Sequence, residues 1–390
     1  MTDILPMSPE QADLRDAVRQ VAGKYGHKYF VDCATSHKEP TELYEELGAA
    51  GFLGVHLPEE YGGGGAGLAE LCAVIEEVSA AGCPLLMMVI APAICGSIIA
   101  AHGSAELKQA WLPGLANGTR TMSFAITEPD AGSNTHAVTT TARRDGDDYL
   151  ISGTKYWISG PDQADAILVV TRDGDAAAAA PDGRDTPMSM FVVPAGATGL
   201  TMHAIEAELI QPGKQFTVFF DQVRVPAAAL VGQAGKGFRA VFAGLNPERV
   251  TAAAISNGIS RYALERATQY ARERSVWATP IGAHQGVAHP LAECYIAVAQ
   301  ARLLTARAAE LVDAGDRSGE AVNMAKFAAA EASLKTLDQA IQVHGGNGLS
   351  REYGLADLWF LARMLRTAPT SREMVLNFVA QHSLGLPASY

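Results

Sequence analysis

Apolar residues follow two different spacings along the chain, and the changes between them divide the sequence into three parts. Residues 8–118 carry apolar positions three and four residues apart, broken by Gly and Pro, as in PEQADLRDAVRQVAGKY and AGLAELCAVIEEVSAAG. This spacing places apolar side chains on one face of a helix. It therefore predicts a helical N-terminal domain over residues 1–120.

From about residue 121 the pattern changes to short runs rich in Val, Ile, Thr and aromatic residues, separated by Gly, Pro and Asp. Such runs are typical of β-strands. They read TMSFAIT, DDYLISGTKYWIS, DAILVVTR, MSMFVVP and FTVFFDQVRVP. The low-complexity stretch at 173–187 predicts an exposed loop among them. We therefore expect a β-domain over residues 121–233.

Helical spacing returns at about residue 234 and continues to the end of the chain. The segment ERVTAAAISNGISRYALERATQYARERS predicts one long helix. Further helices are predicted at 286–315, 319–344, 354–366 and 370–384. The chain is thus predicted to be an α+β multidomain protein whose C-terminal domain, residues 234–390, is a bundle of helices.

Composition narrows the possible partners. The chain has 390 residues, of which 48% are hydrophobic and 18% charged, as expected for a globular protein. The net charge is −12 and no Lys/Arg run resembles a nucleic-acid surface, so neither nucleic acid nor an anionic membrane is an expected partner. No apolar run is long enough to span a membrane, and the start is not a signal peptide.

The cysteines and histidines show no ligand spacing. The five cysteines are scattered without a CxxC pair, which favours a reduced, cytoplasmic protein. The ten histidines include no HExxH motif, so we predict no metal site.

The stretch GLNPERV, residues 244–250, looks like the start of a helix. Asn246 is a good N-cap, and Pro247 suits the first helical position because its missing N–H would be unpaired there. Glu248 would then lie in the first turn, where the helix dipole stabilises a carboxylate. On local grounds Glu248 is therefore an ordinary helix-start charge.

Two strand-like stretches hold side chains that suit a polar planar ring. In SFAITEPDAGSN, residues 123–134, a strand ends in Thr and Glu-Pro before a loop of small residues. In GTKYWISG, residues 153–160, Trp157 and Ser159 are two positions apart and would share one face of a strand. Each stretch alone is also compatible with a purely structural role.

Taken in order, several motifs resemble the acyl-CoA dehydrogenase flavoenzyme family over nearly the whole chain. They are FAITEPDAGSN, GTKYWISG, FTVFFDQVRVPAAALVG, RYALERATQYARERS, GAHQGV and QVHGGNGLSREY. The resemblance implies an N-terminal all-α domain, a middle β-barrel-like or sandwich domain and a C-terminal four-helix bundle. It also implies FAD bound between the β-domain and bundle residues of the same and a neighbouring subunit, in a homotetramer or homodimer.

The resemblance carries FAD-binding roles onto matching positions. Thr127 would meet the pyrimidine side of the flavin, while Trp157 and Ser159 would cover and bond its N5 side. Arg274 and Gln285 would bind the pyrophosphate and adenosine, as would Gln342, Gly345 and Gly346. The implied cofactor residues are Phe124, Ile126, Thr127, Gly132, Ser133, Trp157, Ile158, Ser159, Arg274, Trp277, Gln285, Gln342, Gly345, Gly346 and Thr370. Trp277-Ala278 stands where the family has Phe-Gly, which marks a divergent branch.

The family reaction removes the α-proton of an acyl-CoA thioester and passes the β-hydrogen to flavin N5. Most members use a Glu about twenty residues after the GGNG cluster, where this chain reads LRTAPTSREM and has Ala368 or Pro369. Proline also lacks the N–H that this position donates to the thioester, so either Thr370 supplies a donor or the register differs. Glu373, farther along the chain, could reach the position of the usual base only if the backbone differed greatly.

A second base position occurs in the isovaleryl- and long-chain-type members, at a Glu-Arg pair beginning the first bundle helix. That pair is Glu248-Arg249 here, so the resemblance implies Glu248 as the catalytic base. Asn246, Arg249 and Ser133 would neighbour the pantetheine arm of the substrate. An electron-transfer flavoprotein is the implied acceptor.

Two alternatives stay open at this point. The missing acid at 368–369 also suits a flavin-dependent monooxygenase or a thioester lyase on the same fold. The second alternative is a non-catalytic subunit of a heteromeric acyl-CoA dehydrogenase, which would have an incomplete FAD site.

Overall fold

The first part of the chain is helical, as predicted. The computed structural model describes residues 4–174, 187–316 and 319–388. A capping box starts the first helix, because the hydroxyl of Ser8 accepts the N–H of Gln11 and the Gln11 side chain accepts the N–H of Ser8. A π-helical segment, Val89–Gly96, contains Pro92 and leads into the fifth α-helix. The α-helices are Pro9–Ala22, Gly26–Ser36, Thr41–Ala49, Leu68–Ala80, Ser97–His102 and Ala105–Asn117.

The middle part is an eight-stranded sheet with its own apolar core. Its strands are β1 Met122–Ala125, β2 Thr141–Asp145, β3 Asp148–Ser159, β4 Ala166–Asp173, β5 Met188–Pro194, β6 Leu200–Ile205, β7 Gln215–Pro226 and β8 Leu230–Val231. All five strand-like runs of the sequence lie in these strands, so their prediction is confirmed. Of the predicted loop at 173–187, residues 175–186 lie outside the described residues.

The sheet order is β6-β7-β3-β2-β4-β5-β8, and β1 pairs with β4. The β1–β4 and β2–β4 pairs are parallel, whereas β3 runs antiparallel to both β2 and β7. This order brings the C-terminal end of β1 beside the C-terminal half of β3. The two strand stretches selected from the sequence are therefore neighbours in space.

The C-terminal part is a helical bundle. We call Phe242–Glu273 the first bundle helix, Gln285–Asp313 the second and Glu320–His344 the third. The first and second are joined by a small hairpin of β9 (Ser275–Val276) and β10 (Thr279–Pro280). Shorter α-helices are Gly237–Ala240, Trp359–Thr367 and Arg372–Phe378. The three-part α+β architecture is thus confirmed, and among the described residues no helix has the length and apolar character to cross a membrane.

The predicted start of the first bundle helix was wrong. The helix begins at Phe242 with Val241 as its N-cap residue, so Asn246 is not a cap and Pro247 is not at the first helical position. The carbonyl of Val241 already accepts the N–H of Leu245. Tertiary packing has overridden the local signal, because this first turn lies against the π-helical segment. Glu248 consequently lies in the second turn of this helix rather than in the first.

The N-terminal helices and the bundle share one core. At Gly258, in the first bundle helix, an added Cβ would lie 2.7 Å from the carbonyl oxygen of Glu76, so only glycine allows this close approach to the helix Leu68–Ala80. Buried Glu76 and Glu77 of that helix bond Arg261 of the first bundle helix. This packing fixes the first bundle helix against the N-terminal domain.

Candidate active site

The end of β1 and the second half of β3 form one wall of the candidate site. The carbonyl of Thr127 accepts the N–H of Tyr156 at 2.9 Å, and the hydroxyl of Ser123 donates to the carbonyl of Ser159 at 2.7 Å. Ser159 donates its own hydroxyl to Gln215 at 3.0 Å. The first two bonds hold together the two stretches that the sequence assigned to the flavin, and the third joins β3 to β7.

Trp157 departs from the regular strand on which its prediction rested. The pairing of β3 with β7 shifts between Lys155 and Ile158, and Trp157 has φ of +58°. The simple alternation that would place Trp157 and Ser159 on one face is therefore interrupted by a bulge. Bulges re-aim side chains at functional sites, and here the indole is left 46% exposed.

A buried ion pair beneath this wall was missed by the sequence reasoning. Nζ of Lys155 lies 2.9 Å from Glu128, and it also donates to the carbonyl of Ile126 at 3.1 Å. Glu128 accepts the backbone N–H groups of Thr139 and Thr140 as well. Burial alone would raise the pKa of Glu128, but Lys155 and these donors outweigh it and lower the pKa to about 2. The available signal was a lysine within an otherwise strand-like run.

The loop that follows Glu128 presents small residues to solvent. Gly132, Ser133 and Asn134 are exposed, and a Cβ added to Gly132 would meet no protein atom within 4 Å. The loop therefore leaves room for a ligand to approach its backbone. Whether Ser133 contacts the flavin or the pantetheine arm stays a prediction.

Glu248 lies opposite the π-helical segment and carries an unusual carboxylate. Its side chain is half-buried, and only burial and through-space charges act on its ionisation. Burial raises the pKa of Glu248 to about 7, while Arg249 and Lys326 limit the rise. Cys95 of the π-helical segment is the thiol facing it. A carboxylate in this state is suited to accept a proton near neutral pH.

The loop that most family members use for their base has no acid in this chain. Residues 368–371, which we call the 368–371 loop, connect the helices Trp359–Thr367 and Arg372–Phe378 and include a cis Ala368–Pro369 peptide. Glu373 lies in the first turn of the second of these helices with its side chain 74% exposed. An exposed carboxylate on that helix is a poor candidate for the base.

The predicted substrate residues beside Glu248 are joined to the 368–371 loop. Nε of Arg249 donates to the hydroxyl of Thr370 at 3.0 Å, and another guanidinium nitrogen donates to the side-chain oxygen of Asn246 at 2.9 Å. Arg249 is largely buried, and burial lowers the pKa of its guanidinium. Hydrogen bonds therefore join Asn246, Arg249 and Thr370 near the N-terminal end of the first bundle helix, where Glu248 also lies.

The remaining predicted cofactor residues lie together at the far end of the bundle. Arg274 ends the first bundle helix, Gln285 begins the second, and Trp277 lies at the hairpin between them with φ of +64° and 95% exposure. Arg274 and Gln285 are also exposed. A cationic fork beside the N-terminus of a long helix is an arrangement that binds phosphates.

The Gly-Gly segment joins the same end. His344 stacks on Tyr270 with ring centres 4.2 Å apart, and Asn347 donates to the Tyr270 hydroxyl at 3.2 Å. Gly345 and Gly346 are exposed, and a Cβ added to either would meet no protein atom within 4 Å. Gln342, one turn back on the third bundle helix, is exposed beside them. The residues at this end of the bundle thus fit a dinucleotide such as FAD, because exposed glycine backbone and Arg274 are both found there.

Family profiles cover most of the chain. The profile of the acyl-CoA dehydrogenase N-terminal domain matches residues 8–119, that of the middle domain residues 123–223 and that of the C-terminal domain residues 235–384. The acyl-CoA dehydrogenase FadE12 of Mycobacterium tuberculosis is 57% identical over 385 residues, which is 98% of this chain and 98% of the relative.

Solved structures agree with the fold over the full length. A glutaryl-CoA dehydrogenase in complex with glutaryl-CoA has a TM-score of 0.93 at 31% identity, covering 98% of this chain and 97% of the other. A glutaryl-CoA dehydrogenase from Mycobacterium smegmatis in complex with FADH2 has a TM-score of 0.90 at 26% identity, with coverage of 98% and 97%. The flavin in that relative agrees with the prediction of FAD as the cofactor.

Proposed function

Because the chain belongs to the acyl-CoA dehydrogenase family, we propose that it catalyses the FAD-dependent α,β-dehydrogenation of an acyl-CoA thioester with Glu248 as the base. One observation carries the assignment of the base. The Glu248 carboxylate is half-buried with its pKa raised to about 7 by burial, while the 368–371 loop offers no acid. Glu248 is the carboxylate at the second position that the family uses.

The chemistry requires two protein contributions. The α-proton of a thioester is far too weakly acidic for a carboxylate until donors stabilise the enolate oxygen. The hydroxyl of Thr370 accepts from Arg249 and keeps its own hydrogen to donate, so we assign it to that oxygen. Glu248 takes the α-proton, and a base whose pKa lies near the working pH is efficient. FAD, when bound, would supply the acceptor for the β-hydrogen as hydride, so that a Cα–Cβ double bond would remain in the product.

FAD is held by two groups of residues in this proposal. Thr127, Trp157 and Ser159 bind and cover the flavin ring along the β1–β3 wall. Arg274 and Gln285 bind the pyrophosphate at the end of the bundle, because a guanidinium fork and a helix N-terminus both stabilise anionic oxygens.

A neighbouring copy completes the cofactor site in a homotetramer. Trp277 is 95% exposed and Leu349 is 72% exposed in the single chain, both beside the pyrophosphate residues. Large exposed apolar side chains at one place mark an interaction surface. The expected solution mass of the flavoprotein is that of four chains. An electron-transfer flavoprotein accepts the electrons, and the five free, buried cysteines suit the reducing cytoplasm.

Anaerobic bleaching of the purified yellow protein by a panel of straight and branched acyl-CoAs tests the reaction. Loss of the flavin absorbance with formation of the enoyl-CoA supports the proposal. Bleaching by no acyl-CoA, together with oxygen-dependent product formation or thioester cleavage, would support a monooxygenase or lyase instead. Flavin-free protein that gains FAD only with a second gene product would identify a non-catalytic subunit.

A further inference from the structure

Lys326 of the third bundle helix is a buried cation whose hydrogen bonds go to backbone rather than to a carboxylate. Its side chain is among the most buried large ones in the chain, with the residue only 2% exposed. Nζ donates to the carbonyl of Arg366 at 3.2 Å and to the carbonyl of Thr370. Burying a charge is costly unless it is compensated. A lysine kept here without a bonded acid therefore points to a role beyond packing.

One of the two carbonyls precedes the 368–371 loop and the other lies within it. Arg366 belongs to the last turn of the helix before the loop, and Thr370 directly precedes Ser371, the N-cap of the helix after it. One ammonium group thus ties the loop to the last turn of the helix that precedes it. The Thr370 hydroxyl in turn accepts the hydrogen bond from Arg249 at 3.0 Å. Hydrogen bonds therefore connect Lys326, through the loop, to the residue next to Glu248.

We propose that Lys326 is a positioning residue for the dehydrogenation, holding the 368–371 loop against the first bundle helix and favouring the carboxylate form of Glu248 through its charge. The proposal rests on the proposed function, in which Glu248 is the base. It gives the buried cation a purpose in the reaction, because a partly buried carboxylate must be ionised to accept the α-proton.

The charges around both groups set the expected pH range. Glu248 is faced by Arg249 on its own helix, by Lys326 from the third bundle helix and by Cys95 from the π-helical segment. Burial raises the pKa of Glu248 to about 7, and the two cations oppose the rise. Removing one cation therefore shifts the ionisation of Glu248 to higher pH.

Lys326 itself is faced by four charged groups. Burial lowers the pKa of Lys326 to about 8, and the cation Arg249 adds to that effect. Glu331 on the same helix, Glu373 from the helix Arg372–Phe378 and Glu248 act in the opposite direction. Lys326 is therefore charged at pH 7 and loses its charge as the pH rises past about 8, so its influence on Glu248 is confined to neutral and lower pH.

Three variants separate the charge from the hydrogen bonds. Lys326→Gln keeps an N–H donor for the loop without a charge, and Lys326→Arg keeps the charge. Lys335→Gln is the control, because Lys335 lies on the same helix but is exposed and pairs with Glu293. Each holoenzyme is mixed anaerobically with an acyl-CoA that bleaches the wild type. The rate of flavin reduction is followed from about pH 5.5 to about pH 9.5, a range that includes the ordinary pKa region of both groups as shifted here.

We expect the midpoint of the Lys326→Gln profile to move up by about one unit, which is a roughly tenfold lower rate at pH 6–7. The two profiles should converge above about pH 9, where wild-type Lys326 is itself neutral. Lys326→Arg and Lys335→Gln should keep the wild-type midpoint.

An unchanged midpoint in Lys326→Gln overturns the proposal, and so does an equal loss of rate at every pH, which would mark Lys326 as a scaffold residue. If Lys326→Gln does not hold flavin, Lys326→Arg decides: an upward shift of its midpoint is the overturning result. These outcomes are distinct from failure of the proposed function, since normal turnover by Glu248→Gln would reject the base without involving Lys326.

Discussion

The ammonium group of Lys155 lies 2.9 Å from Oε1 of Glu128, and both side chains are buried beneath the wall formed by β1 and β3. The same carboxylate accepts the N–H groups of Thr139 and Thr140, so it closes the loop that begins at Glu128. Lys155 is two residues before Trp157 in β3. The pair therefore fixes the loop and the Trp157 bulge relative to each other.

Replacing Lys155 alone should destabilise the fold more than replacing both Lys155 and Glu128. Lys155→Met leaves the Glu128 carboxylate buried without a counter-charge, which typically costs about 3–5 kcal/mol. In Lys155→Met with Glu128→Gln no charge remains, and part of that stability should return. Chemical denaturation of the two proteins measures the difference, with flavin content as the second readout. Equal destabilisation in the single and double variants would contradict this account of the pair.

Flavin reduction by acyl-CoA should depend on pH through one ionisation. Burial raises the pKa of Glu248 to about 7, and only the carboxylate form can take the α-proton. The rate in a rapid anaerobic mixing experiment should therefore rise with pH through about 7 and level off above it. A rate that stays constant between pH 5.5 and 8.5, a window spanning that value by about 1.5 units on each side, would argue against a buried carboxylate base.

The same raised pKa predicts that Glu248 weakens the fold at alkaline pH. The native state holds the proton of Glu248 up to about pH 7, whereas the unfolded chain releases it near about pH 4. Stability attributable to this group therefore falls as pH rises between these values. Glu248→Gln should melt a few degrees above the wild type at pH 8 and at about the same temperature at pH 4, as thermal unfolding of both proteins would show. A lower melting temperature of the variant at pH 8 would contradict the burial of this charge.

Gly346 offers a test of the cofactor contacts that does not disturb the fold. A Cβ added there meets no protein atom within 4 Å, so Gly346→Ala should fold normally. If the FAD pyrophosphate approaches this backbone, the added methyl group should lower flavin occupancy several-fold. Gly196, in the turn between β5 and β6, has equally open surroundings and provides the control Gly196→Ala. Absorbance of the purified proteins measures occupancy; full occupancy in Gly346→Ala would place FAD elsewhere.

The architecture could be predicted from the sequence because it follows local patterns. Helical spacing before residue 118 and after residue 234, and β-branched and aromatic runs between them, are properties of short windows. The single long helix around Glu248 was likewise visible, since its Ala-rich stretch has no interruption after Pro247. Motif spacing then supplied the resemblance that selected the cofactor residues.

What the sequence could not supply depends on contacts between distant residues. The start of the first bundle helix was misplaced because Asn246-Pro247 is a strong local signal, while packing against the π-helical segment extends the helix back to Phe242. The Trp157 bulge depends on the register of β3 with β7. The bond from Lys326 to the Thr370 carbonyl joins residues 44 positions apart, which no window pattern records.

The most direct test of the central claim compares Glu248→Gln with Glu373→Gln, the exposed acid near the usual base position. Both proteins should purify yellow, because neither residue is assigned to FAD. With an acyl-CoA that bleaches the wild type under anaerobic conditions, we expect Glu373→Gln to be reduced at close to the wild-type rate. Glu248→Gln should be slower by about 10²–10⁴-fold, which is the typical contribution of a general base. Near-normal bleaching of Glu248→Gln, or a severe loss confined to Glu373→Gln, would contradict the account.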